Sequence, residues 1–132
     1  MTVVSSPEAF TIQNKGLSAI GPTGSGLGYG GGTAGIGNSL AIRFDIHNNS
    51  GEGTNLTGFY PDGASPTIPA IDLTPSNIVL ISGDVIHSHV SYDGANLTLL
   101  TDATTSASFI ATYAVNIASV VSSTTAYVGF TA

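Results

Sequence analysis

Apolar and polar residues alternate with a period of two over several short stretches of this 132-residue chain. Residues 9–13, 40–45 and 85–92 show the pattern most cleanly, and such alternation marks half-buried strands. Asp93 and Gly94 follow the third stretch with the chemistry of a tight hairpin turn, so residues 96–101 are expected to return as its partner. Residues 108–117 and 125–131 complete the series, with weaker strands at 56–60 and 77–81. No window sustains a 3.6-residue period, and residues 118–122 make a helical turn at most. Two segments read as loops. One is the glycine-rich stretch 21–37; the other is 61–75, punctuated by Pro61, Pro66, Pro69 and Pro75. Strands at such intervals, with Gly and Pro between them, predict one all-β antiparallel domain over residues 1–132.

Composition narrows the function. Net charge is −6, and Lys15 and Arg43 are the only Lys or Arg residues. No basic stripe can be built from two cations, so neither nucleic acid nor an anionic membrane is an expected partner. The chain has no cysteine, which excludes disulfides and thiolate metal sites. No apolar run approaches the roughly 18 residues that span a bilayer. Residues 1–6 lack the basic start and apolar core of a secretory signal.

The chemistry-bearing residues gather where the 40–45 strand runs out. Asp45, Asn49 and Glu52 stand at steps of four and three along a turn rich in Asn, Ser and Gly. If that turn folds back, their oxygens converge, and hard cations such as Ca²⁺ select such ligands. Other motifs carry less. Residues 24–30 alternate glycine like a phosphate loop, but no Lys-Ser/Thr and no helical pattern follow. His87 and His89 share one strand face, yet a catalytic zinc needs a third ligand. No Gly-x-Ser-x-Gly elbow occurs, and Asp45 with Glu52 is a thin basis for a glycosidase pair. An enzyme is therefore not expected.

The order of segments is more specific than any one of them. Phe10-Thr-Ile-Gln-Asn14 comes first, then Gly26-Leu-Gly-Tyr-Gly30, then Asn38-Ser-Leu-Ala-Ile-Arg-Phe-Asp45, then Asn48-Asn-Ser-Gly-Glu52. Residues 80–84, 90–94 and 126–132 continue the series. Together they resemble the legume-type (L-type) lectin domain, its bacterial branch above all. The resemblance implies a concanavalin-like jelly-roll β-sandwich that binds a glycan or simple sugar without catalysis, beside a structural Ca²⁺. It also implies an extracellular setting.

Carried across by residue, the resemblance makes Asp45 the bridging carboxylate and Asn49 a Ca²⁺ ligand that also bonds the sugar. His47 supplies its carbonyl to the metal and its ring to the sugar face. Glu52 falls at a second acidic ligand, and Ser25 and Gly26 lie on a sugar-contacting loop. Three departures stand out. Arg43 occupies the position of a Glu that begins the family's transition-metal site, which argues against Mn²⁺. Ser6 aligns with the family's sugar-binding Asp, and Glu8 can replace it only with a shift of the loop. Sandwiches of this type also run to roughly 200–250 residues. Some terminal strands, an N-terminal one included, are therefore expected to be lacking, and a second copy to cover the exposed edge as a homo-oligomer. The alternative function is a lectin-like module that binds no sugar and acts through self-assembly.

Overall fold

A computed structural model describes Thr2–Val3 and residues 7–132. Its described elements are β1 (Thr2–Val3), β2 (Glu8–Gln13), β3 (Ser39–Asp45), β4 (Leu56–Pro61), β5 (Ile71–Asp72), β6 (Ile86–Tyr92), β7 (Asn96–Ala103), β8 (Ser108–Ala114), helix α1 (Ile117–Val121) and β9 (Tyr127–Thr131). They form two antiparallel sheets, ordered β5-β4-β3-β2-β9 and β1-β6-β7-β8.

The alternation along each strand explains how the sheets meet. Leu40, Ile42 and Phe44 project from one face of β3 and pack on Ile86, Leu97 and Leu99 from the other sheet. Each fully buried side chain of this kind contributes about 1.5–3 kcal/mol. The other face of β3, carrying Ser39, Ala41, Arg43 and Asp45, is also fully buried. There the glycine-rich segment lies over the sheet, bringing Leu27, Tyr29 and Ile36 onto Ala9, Ala41 and Tyr60. Arg43 and Asp45 thus stand on a buried strand face roofed by loops.

Backbone-to-backbone contact makes that roof possible. A Cβ at Gly30 would overlap the Ala64 carbonyl, and one at Gly35 would overlap the Gly63 carbonyl. The glycines therefore let segment 21–37 lie on the proline-rich segment, not on a phosphate. Tyr29 ties the two together: its hydroxyl donates to the Tyr60 carbonyl (2.7 Å) and accepts from the Gly63 N–H (3.1 Å).

Four elements depart from the sequence reading, one being β5, a two-residue strand paired with Leu56 and Thr57 inside the segment 61–75 read as a loop. Residues 77–81 form no strand; the Asn55 amide instead bonds the Ile78 carbonyl (2.7 Å) and the Leu80 N–H (2.9 Å), standing in for a neighbouring backbone. The strand expected over 108–117 ends at Ala114, because the Asn116 side chain caps α1 at Ser119 N. Thr2–Val3 pairs with Ile86 and His87, so a short N-terminal strand exists where none was expected.

Strand β9 is an edge. It pairs with β2, and its outer side has no strand among the described residues. Val128 and Phe130 face the same side as Ile12 and Phe10, yet remain 63% and 56% exposed.

Candidate functional site

Strand β3 delivers the site by its register. Arg43 and Asp45, two residues apart, point to the same loop-covered face. The Arg43 guanidinium is wholly buried, and its Nη1 lies 3.2 Å from Asp45 Oδ2 and 3.5 Å from Glu52 Oε1. Nη1 also donates to the Pro66 carbonyl and Nη2 to the Thr67 carbonyl (2.9 Å). The Tyr60 ring lies under the cation, 5.5 Å from ring centroid to Cζ. Nε is buried without a partner. One cation therefore ties β3, the 47–55 loop and the proline-rich segment at a single point.

The two acids use their remaining oxygens locally. Asp45 Oδ1 accepts from the His47 N–H (2.9 Å), and Glu52 Oε2 accepts from the Ser50 N–H. Burial pushes the Glu52 carboxyl upward, but backbone N–H donors from residues 49, 50 and 52, with Arg43, outweigh it and hold it below its ordinary range. Burial likewise raises the Tyr60 phenol to about 12, against the pull of Arg43.

Beside this cluster opens a depression of about 400 Å³. Ser25 and Leu27 form one wall, and Asp45, His47 and Asn49 the other, with Pro7 and Ala132 at the rim. Four positions singled out from the sequence thus meet around one space. His47, Asn49 and Ser25 are exposed, while Asp45 is buried at the base.

Three other positions do not line it. Gly26 is buried just behind Ser25, with its N–H donated to the Thr23 carbonyl (3.3 Å). Glu52 turns toward Arg43. Glu8 pairs in register with Phe44 and faces the inter-sheet side, where one carboxylate oxygen is buried without a partner and burial raises its pKa. Ser6 lies outside the described residues.

The donors around the depression are hard oxygens: an Asp45 carboxylate oxygen, the Asn49 amide and backbone carbonyls. That chemistry suits Ca²⁺ better than a zinc-type metal. Among the described residues no cluster of three or more His, Asp or Glu side chains converges, so a cation here would depend on amide and carbonyl oxygens. His87 and His89 are exposed on β6, with Asp102 opposite His87, and belong to no such cluster.

Arg43 is the residue whose role the sequence reading missed. Its position inside an otherwise apolar strand, two residues before an acid, was the available signal, because an unpaired guanidinium is prohibitively costly once such a strand is buried.

Protein-family models and curated protein sequences give no match to this chain. Solved structures do. The metal-free form of lectin I-B4 from Griffonia simplicifolia superposes with a TM-score of 0.74 at 16% identity, over 99% of this chain and 59% of that one. The fold is legume-lectin-like. A Bauhinia forficata lectin in complex with GalNAc gives 0.68 at 16% identity, over 97% and 62% of the two chains. Peanut lectin with a nine-residue peptide gives 0.66 at 17%, over 100% and 68%. The legume-lectin-like chain thus spans about three fifths to two thirds of the lengths of the lectins it matches.

Proposed function

We propose that this chain binds carbohydrate non-covalently in the depression between Ser25–Leu27 and Asp45–Asn49. The observation that carries the reading is the convergence there of Ser25, Asp45, His47 and Asn49. Shallow sites that hold small ligands combine an apolar wall with a few fixed polar groups. Leu27 and the His47 ring offer the apolar face, and the Asn49 amide with the Ser25 hydroxyl offers donors and acceptors for sugar hydroxyls. The GalNAc bound to the Bauhinia lectin supports a sugar as the class of ligand.

A Ca²⁺ ion fits this reading. Asp45 Oδ1, the His47 carbonyl and the Asn49 amide would hold it, whereas Glu52, the second acid expected from the sequence, is engaged by Arg43 and the Ser50 N–H. When bound, it would fix the 47–52 loop and so set the direction of the Asn49 amide. A glycan array with and without Ca²⁺ tests the proposal. Binding of a defined sugar class is expected, weakened by chelator; failure of every sugar at millimolar concentration would overturn it.

A second reading is favoured by β9. Its outer edge, unpaired among the described residues, with Val128 and Phe130 exposed beside it, suits pairing with a second copy of this chain. Self-association through β9 is compatible with sugar binding, because the depression lies on the loop-covered face of β3.

A further inference from the structure

We propose that the Arg43 guanidinium is a built-in cation that does the work of a second metal ion, ordering the 47–55 loop with no transition metal. The inference stands independently of sugar binding. Its basis is the set of groups around one buried charge. Two carboxylates, Asp45 and Glu52, approach the same nitrogen at 3.2 and 3.5 Å. Two backbone carbonyls, of Pro66 and Thr67, complete an oxygen shell, and Tyr60 closes it from below.

Oxygen donors from separate loops converging on one positive centre is how a protein holds a hard metal ion. Here the centre is covalently part of β3. That changes three properties. The charge cannot dissociate, so a chelator cannot remove it. It is singly charged, so Asp45 and Glu52 together keep one uncompensated negative charge. It also fills the space, because a guanidinium wholly buried between both carboxylates leaves no room there for a divalent ion. The resemblance to a two-metal family therefore does not carry over: at most one metal fits beside this pair.

Mn²⁺ binding, read by the paramagnetic resonance of the free ion in excess Ca²⁺, tests the idea together with thermal melts of the full chain. The Ca²⁺ background keeps the result separate from the proposed Ca²⁺ position. Wild type is expected to take up no Mn²⁺ and to melt identically with and without it. Arg43→Met should lower Tm by about 10 °C or more, since removing one partner strands two buried acids. Arg43→Lys should recover part of that loss through its charge. Arg43→Glu, which places a third carboxylate in the cluster, should bind about one Mn²⁺ per chain and regain Tm on binding. Uptake of Mn²⁺ by wild type would overturn the proposal, as would an Arg43→Met chain that melts like wild type. If neither Arg43→Met nor Arg43→Glu yields folded protein, the wild-type Mn²⁺ measurement still decides.

Discussion

Arg43 and Asp45 sit two residues apart on β3 and meet at 3.2 Å, both side chains wholly buried. Taking both charges out of water costs several kcal/mol each, and their attraction offsets that only when further bonds complete the geometry. The Pro66 and Thr67 carbonyls and the His47 N–H provide those bonds. Asp45→Asn keeps the shape but removes one of the two charges opposing Arg43, leaving Glu52 as its counter-charge. A loss of about 1–3 kcal/mol is expected, the cost of weakening a buried charge-assisted hydrogen bond, measured by chemical denaturation with an unchanged m-value.

Tyr29→Phe deletes one oxygen that three groups share. The Gly63 N–H loses its acceptor, the Tyr60 carbonyl its donor, and the Ser39 hydroxyl its neighbour at 3.0 Å. Leaving such buried groups unpaired costs about 1–3 kcal/mol. The glycine-rich segment should also become accessible to protease under native conditions, which limited proteolysis would read.

Asn49 is exposed, and its side chain faces the depression. Asn49→Ala should abolish glycan binding while shifting stability by no more than about 0.5 kcal/mol. Isothermal titration and a parallel melt separate the two effects. Retained affinity would remove Asn49 from the proposed site.

The depressed Glu52 carboxyl makes stability pH-dependent with a definite sign. An acid whose folded pKa lies below its unfolded value stabilises the fold at pH above the unfolded value, and the gain disappears as pH falls through the folded value. Glu52 should therefore contribute fully above its ordinary value of 4.5 and progressively less below it. Wild type should be more stable than Glu52→Gln at neutral pH, and the two melting curves should converge under acid conditions.

Val128 and Phe130 offer a test of self-association. Replacing both with Ser removes apolar surface from the open edge without touching β2 pairing. If β9 joins two copies, light scattering should show a larger wild-type species at micromolar concentration and a monomer for the double variant. A monomeric wild type would dismiss the assembly reading.

Much of the fold was legible because local pattern and burial agree. The alternation in β2, β3, β6 and β7 follows directly from one face meeting the opposite sheet. It failed at 77–81, where Ile78 and Leu80 are buried but their backbone is satisfied by a side chain, Asn55, from 23 and 25 residues away. No local signal distinguishes a backbone partner from an amide that imitates one. The Asp45–Asn49 turn was readable as an oxygen-rich loop, yet its separation into Asn49 at the depression and Glu52 at Arg43 was not.

By itself, then, the sequence determined an antiparallel all-β domain and a polar loop after β3, because period-two alternation and turn chemistry act between near neighbours. Only the tertiary structure decided what sits at the centre of that loop. Pro66, Thr67 and Tyr60 reach Arg43 across 17 to 24 residues of chain. A buried charge is tolerated only where such distant groups converge, and convergence is a property of the folded chain.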